Sequence, residues 1–216
     1  MSGEFLMKIL ALEFSSPQRS VAVVQPGAFY EALGSNEPFA MIEEALRDAR
    51  LEREQIDCIA IGLGPGSYTG IRSAISIAQG WQLARPIKLL GVSSAEAIAV
   101  QAQEEGVTGR VNVSVDAQRG EFYIAGYDLT ADGAREVEPL RIVSAAEVTQ
   151  RANAGETLIG PEVTKWFAMG KTIFPRAAIL GKLALTRTDF ISGEKMEPIY
   201  LRETKFVKAP PPRKIG

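Results

Sequence analysis

The sequence predicts an α/β protein built of two similar halves, and three features carry that prediction. Apolar runs rich in β-forming residues alternate with segments of helical period along the whole chain. One run, residues 56–63, is almost continuously apolar, as befits a central strand covered on both faces. Near Gly106 and Gly109 the strand-then-helix order begins again. That restart sets a boundary near residue 107 and domains of 7–106 and 107–201.

Residues 8–14 and 20–25 are strand-like runs parted by the turn signal Ser15-Ser16-Pro17. Pro26-Gly27 makes a second turn and 28–34 returns, so the chain opens with a meander. Pro38 begins a helix with Ile42, Ala45, Leu46 and Ala49 on one face and Glu43, Glu44, Arg47 and Asp48 mostly opposite. After 56–63 come a Gly-rich loop, a long helix to about Ala84, a strand at 87–92 and a helix to about Glu105. Ser93 or Ser94 caps that helix, and only Ser93 places a glutamate, Glu96, where a capping box needs it. In the second half 110–116 alternates strictly, and Gln118-Arg119-Gly120 turns the chain into a strand at 121–129. A third strand follows at 139–143, then a helix capped by Ser144, a short strand at 158–160 and a last helix at 177–186.

Composition narrows the chemistry. The chain has no histidine, which removes the commonest transition-metal ligand and the commonest general base near neutral pH. Ser-His-Asp and Cys-His systems and His-based zinc sites are thereby excluded. With 46% hydrophobic and 23% charged residues the balance is that of an ordinary globular protein. No apolar run approaches the ~18 residues of a membrane span, and no basic leader precedes the first apolar stretch. Met7-Lys8 reads as a natural start, with residues 1–6 an extension. A single cysteine, Cys58, mid-strand in an apolar run, reads as a core thiol and fits a reducing cytoplasm. Residues 202–216 carry five basic residues against Glu203, so this Pro-rich tail is +4 while the rest of the chain is -6. Such a tail is expected either to stay solvated, to pack back on the first domain, or to touch RNA phosphate.

The segment Gly62-Leu63-Gly64-Pro65-Gly66-Ser67-Tyr68-Thr69-Gly70-Ile71-Arg72 joins the buried strand to the long helix. Three motifs fail on it. A P-loop needs Gly-Lys-Ser/Thr, the dinucleotide pattern meets Ser67 or Thr69 where its third glycine belongs, and a nucleophile elbow meets Pro65 two residues before Ser67. Gly64, Pro65, Gly66, Ser67, Thr69 and Gly70 are expected to form a structural loop. The helix beyond it is unusual, because Arg72 is the only charged residue between Gly66 and Ala84. A surface helix should show a polar face. Either this one is buried within its own domain, or a second face meets another protein. In the latter case small residues such as Gly70, Ser73, Ala74 and Gly80 let a partner helix come close. An ordinary interface hides about 800 Å² per partner, which this helix and its neighbour could supply.

The loop string, together with Ala78-Gln79-Gly80, Leu90-Gly91-Val92-Ser93-Ser94, Val115-Asp116-Ala117-Gln118-Arg119-Gly120-Glu121-Phe122-Tyr123 and Pro198-Ile199-Tyr200-Leu201-Arg202, resembles the TsaB family, also called YeaZ. The resemblance implies two tandem actin-like, Hsp70-like (ribonuclease-H-like) α/β domains, with the C-terminal segment returning to the first. It implies a non-catalytic scaffold, a degenerate paralogue of the catalytic subunit TsaD. With TsaD and the ATPase TsaE, such a protein serves the synthesis of N6-threonylcarbamoyladenosine beside the tRNA anticodon. Family members bind TsaD, or a second copy of themselves in isolation, through two helices that fall here at 38–50 and 69–84. Ile42, Leu46, Tyr68, Ile71, Arg72, Ile75, Ala78 and Trp81 are the partner-binding candidates that follow, and a charge placed at Ile75 or Trp81 is expected to break association. No catalytic residue, metal or cofactor is implied for this chain alone, and contact with tRNA would be indirect or through the tail.

Two departures bear on chemistry. The family's strand-Asp-Thr is replaced by Glu13-Phe14-Ser15-Ser16, with Pro17 stiffening a turn that lacks glycine, and no histidine stands near Asn36. The main rival is a weak ATPase or kinase of the same fold, in which Glu13 and Asp116, with Arg119 close by, share a Mg²⁺ ion across a vestigial nucleotide cleft. Asp116 and Arg119 shaping a hairpin turn is the simpler alternative. A glycoprotease activity, the label attached to the wider family, would need a Ser-Lys pair, and only Ser192 and Lys195 have the spacing.

Overall fold

The computed structural model describes residues 7–34 and 37–201. The extension 1–6, the position of Asn36 and the basic tail 202–216 lie outside the described residues. Two five-stranded sheets organise the chain. The first comprises β1 (Ile9–Glu13), β2 (Arg19–Gln25), β3 (Ala28–Gly34), β4 (Cys58–Gly62) and β5 (Lys88–Val92), in the order β3-β2-β1-β4-β5. The second comprises β6 (Gly109–Asp116), β7 (Glu121–Thr130), β8 (Gly133–Ser144), β9 (Thr157–Gly160) and β10 (Lys171–Thr172), in the order β10-β9-β6-β7-β8. Each sheet is an antiparallel meander of three strands extended by two parallel strands beside its first. The halves therefore share one topology, the duplicated actin-like, ribonuclease-H-like α/β arrangement that the resemblance implies.

Every residue of β1 and β4 is buried, as the unbroken apolar runs require. Alternation divides their side chains between two cores. Leu10, Leu12, Val21, Val23, Ile59 and Ile61 face α1 (Pro38–Ala49) and α2 (Tyr68–Ala84). Ile9, Ala11, Val24, Cys58, Ala60 and Leu90 face the opposite way, onto α5 (Ala177–Leu185). Helix α3 (Ser94–Glu104), the last element of the first half, places Ala95, Ile98, Ala99 and Ala102 in the core of the second sheet. The two terminal helices are thus exchanged: α3 covers the second sheet and α5 the first. A boundary at 107 with everything to 201 in the second half does not describe this packing, because hydrophobic burial returns α5 to the first sheet.

Local sequence explains the ends of the helices. Pro38 opens α1, and Arg50 closes it in the left-handed region at φ 55. Ser144 caps α4 (Ala145–Asn153) by accepting from the Glu147 N–H at 3.3 Å. Ser93 is the N-cap of α3 but makes no side-chain cap bond, so the capping box expected with Glu96 does not form. Among the described residues no helix is long and apolar enough to cross a membrane.

Candidate functional site

The glycine-rich loop rests on the turn after β1. Ser67 donates its N–H to Ser15 O at 2.7 Å, and its hydroxyl accepts from the Gly70 N–H at 3.3 Å, capping α2. A Cβ on Gly66, where φ is +149, would stand 2.1 Å from Ser15 O, and one on Gly70 2.0 Å from Phe14 O. Two glycines are needed because two stretches of backbone touch. The loop holds the N-terminus of a 17-residue helix against the turn after β1.

Helix α2 has three surroundings. Ile71, Ala74, Ile75 and Ala78 lie on the sheet, 0–5% exposed, together with Ile42 and Leu46 of α1 at 1% and 4%. A second side is covered by the chain's own C-terminal segment. There Gln79 donates to Gly193 O at 2.8 Å, Gln82 accepts from the Gly193 N–H at 2.8 Å, and Tyr200 stacks on Tyr68 at 5.2 Å. The third side is open. Ser73, Ser76, Ile77, Gly80, Trp81 and Ala84 line a groove between α1 and α2 with a cavity volume of about 820 Å³, and Phe39 stands at its edge 61% exposed. A Cβ on Gly80 would meet nothing within 4 Å, and Leu83 is 90% exposed at the end of the helix.

This placement corrects part of the expected docking set. Ile42, Leu46, Ile71, Ile75 and Ala78 are spoken for by their own core, where apolar side chains at helical spacing gain most by burial. Tyr68 and Arg72 are exposed, with the Arg72 guanidinium 5.4 Å from the Tyr68 ring centroid, and Trp81 is half-buried. The outward residues that the sequence did not single out are Phe39, Ser76, Ile77, Leu83 and Ala84. For the four on α2 the signal was the uncharged remainder of that helix once its large apolar stripe is assigned inward, and Phe39 on α1 had none.

A second concavity, about 650 Å³, opens between the two sheets. Its walls include Ser16, Arg19, Tyr68, Ser114, Asp116 and Trp166. Glu13 does not reach it. The Glu13 carboxyl is fully buried, accepting from the Ser15 N–H at 2.7 Å and from the Ser94 hydroxyl at 2.9 Å. Burial pushes its pKa up, against the lowering effect of those hydrogen bonds. The pairing of Glu13 with Asp116 around one Mg²⁺ is therefore overturned, since the Glu13 carboxyl is held in the core and does not line the cleft. Asp116 accepts from the Gln118 N–H at 2.7 Å and from its side-chain amide at 3.1 Å, across a turn in which Gln118 and Arg119 take φ of 65 and 61. That is the hairpin role. Ser192 precedes and Lys195 ends a 3-10 turn, Gly193–Lys195, whose first residue is the one held by Gln79 and Gln82.

Comparison with known proteins agrees with this architecture. The family described as "TsaD: tRNA N6-adenosine threonylcarbamoyltransferase" matches residues 36–204. A protein of Escherichia coli K12 named tRNA threonylcarbamoyladenosine biosynthesis protein TsaB is 27% identical, over 91% of this chain and 95% of its own length. Its namesake from Haemophilus influenzae is also 27% identical, over 94% and 98%. The solved structure of YeaZ from Pseudomonas aeruginosa superposes with a TM-score of 0.78 at 25% identity, covering 91% of this chain and all of that one. With a family match over residues 36–204, a duplicated sheet topology and relatives aligned over nearly their whole length, the chain belongs to the tRNA N6-adenosine threonylcarbamoyltransferase (TsaD) family and, within it, to the TsaB or YeaZ group.

Proposed function

We propose that this chain is a non-catalytic scaffold subunit of the bacterial assembly that makes N6-threonylcarbamoyladenosine in tRNA, and that it binds and supports a TsaD-type catalytic subunit. One observation carries the reading: the outward face of α2 from Ser73 to Ala84 is uncharged, and it lines an open groove rather than its own core. Ser76, Gly80 and Ala84 recur at four-residue spacing there, so a helix of the partner could pack closely, with Phe39, Trp81 and Leu83 supplying the large apolar contacts. In isolation the same face would pair two copies of this chain. A TsaE-type ATPase completes the assembly, tRNA meets this subunit indirectly or through residues 202–216, and the setting is the cytoplasm.

The test uses Ser76→Glu and Gly80→Glu, both at solvent-facing positions that leave the core intact. Each should abolish co-elution with a TsaD-type subunit while the thermal transition of the isolated chain is kept. Carbamoyl transfer to tRNA should appear only when this chain and its partner are combined, and fall with complex formation in the variants. Complex formation by both variants at wild-type strength would refute the docking face, and transfer by this chain alone would refute the scaffold role.

A further inference from the structure

The two halves of α2 are held by different means. Its buried residues are Gly70, Ile71, Ala74, Ile75 and Ala78, so the sheet anchors the helix as far as Ala78. Residues 79–84 lie beyond that stripe, yet Gly80, Trp81 and Ala84 among them line the groove. This half is held by the chain's own segment 190–200, which runs alongside it as a strap. Gln79 and Gln82, one helical turn apart, engage both backbone groups of a single residue. The Gln79 amide donates to Gly193 O at 2.8 Å, and Gln82 Oε1 accepts the Gly193 N–H at 2.8 Å. The Gln82 amide also donates to Ile87 O at 3.1 Å, which ties the same turn to the entry of β5. A Cβ on Gly193 would stand 3.0 Å from Gln82 Oε1 and 3.1 Å from Gln79 Cγ, so the strap lies close against the helix.

The strap is itself pinned at points drawn from other elements. Ile191 donates its N–H to Leu89 O of β5 at 3.0 Å, and Ile199 donates to Leu63 O in the glycine-rich loop at 2.8 Å. Between them Met196 is buried in the core beneath α1 and α2, and Tyr200 stacks on Tyr68 where α2 begins. At about 100° per residue, Gln79 and Gln82 leave α2 on the flank roughly opposite to Gly80 and Ala84. The strap therefore backs the helix while the groove stays open in front. We propose that Gln79, Gln82 and Gly193 are positioning residues: by seating the strap they fix the pose of residues 79–84, and the groove receives a partner helix only in that pose. The inference rests on the docking reading above and adds a condition to it. Small residues such as Gly80 and Ala84 let two helices approach closely, and such contacts tolerate little displacement. A gap of about 0.5–1 Å already forfeits roughly a quarter to a half of the dispersion attraction.

Hydrogen exchange and calorimetric titration of the full chain test this together. Gln79→Ala combined with Gln82→Ala should speed exchange at the Ile191 and Ile199 amides, whose own bonds are untouched. It should also weaken binding of a TsaD-type subunit by about tenfold. Gln79→Glu keeps the shape but offers only acceptors to Gly193 O, so it should act likewise, whereas a role in packing alone would spare it. Coupling is reciprocal, so binding of the partner to the wild type should slow exchange at Ile191 and Ile199, and this arm needs no variant. Wild-type affinity in variants whose strap exchanges faster overturns the proposal. So does a strap that exchanges no faster in the variants, or partner binding that leaves strap exchange unchanged in the wild type. Ser76→Glu separates the two readings, since it should lose the partner while its strap exchanges at the wild-type rate. If Ser76→Glu keeps the partner, the docking face fails and this inference with it. If it loses the partner while the glutamine variants bind normally, only the positioning role fails.

Discussion

The Ser94 hydroxyl donates to the Glu13 carboxylate at 2.9 Å and at the same time accepts the Gly64 N–H at 3.1 Å. Through that one side chain the end of β1, the glycine-rich loop and the start of α3 are joined. A Cβ on Gly62 would stand 2.1 Å from Glu13 Oε2, so the longer acid fits only because a glycine faces it. This chain ties that acid into its core.

The Glu13 carboxyl should leave a pH signature. Its pKa is raised by burial above the ordinary value of 4.5, so the folded chain holds more protons than the unfolded chain in that region. Its contribution to stability is therefore full below about pH 4.5 and declines as pH rises through the folded value. Relative to Glu13→Gln, the wild type is expected to lose stability across that window in urea titrations at stepped pH. Parallel profiles would show that the carboxyl is not perturbed in this way.

Neighbouring residues of α2 should respond oppositely to the same charge. Ile75 is 5% exposed against the sheet, so Ile75→Glu buries an unpaired carboxyl and should cost several kcal/mol, on the order of 3 or more. Ser76 is exposed, so Ser76→Glu should change stability by less than about 0.5 kcal/mol. Denaturation midpoints check both, and equal losses would mean that the assignment of faces is wrong.

Two glycines of α2 should differ in sign. Gly80→Ala adds a methyl that meets nothing within 4 Å and should stabilise the helix by about 0.5–1 kcal/mol. Gly70→Ala drives a methyl to 2.0 Å from Phe14 O and should destabilise by roughly 1–3 kcal/mol or more. Thermal melts of the two variants decide between these outcomes, and stabilisation by both would deny the close contact of α2 with the turn after β1.

Cys58 should be silent until the protein opens. It is fully buried in β4, and burial pushes its thiol up to about 12. Reaction with a thiol reagent is expected to be absent from the native protein at neutral pH and to track the unfolding transition in denaturant. Labelling well before that transition would place β4 in a locally opening unit.

Much of this architecture was legible in residue patterns. Unbroken apolar runs marked β4, the Pro38 start and the Ser144 cap marked helix beginnings, and the restart near residue 107 marked the second sheet. The outward residues of α2 were less legible, because periodicity identifies an apolar stripe without saying what covers it. Ile71, Ile75 and Ala78 form the more conspicuous stripe and face the chain's own sheet, while the open face is written in Ser76, Gly80 and Ala84, which carry little signal individually. The inward turn of Glu13 was hidden for another reason. It depends on Gly62 and Ser94, which are distant in sequence and meet only when β4 and α3 are in place. The exchange of α3 and α5 likewise follows from which sheet face remains bare, a property of the assembled layers.

That exchange has a consequence for synthesis. As the chain leaves the ribosome, the first sheet can pair its strands once Val92 has emerged, yet the face bearing Ile9, Ala11, Val24 and Leu90 stays wet until Ala177–Leu185 arrives. The nascent amino-terminal half is thus an incomplete body that a holdase could recognise, and native closure should come late and all at once. Removing the last helix would leave the earlier half with a bare hydrophobic wall and no covering layer.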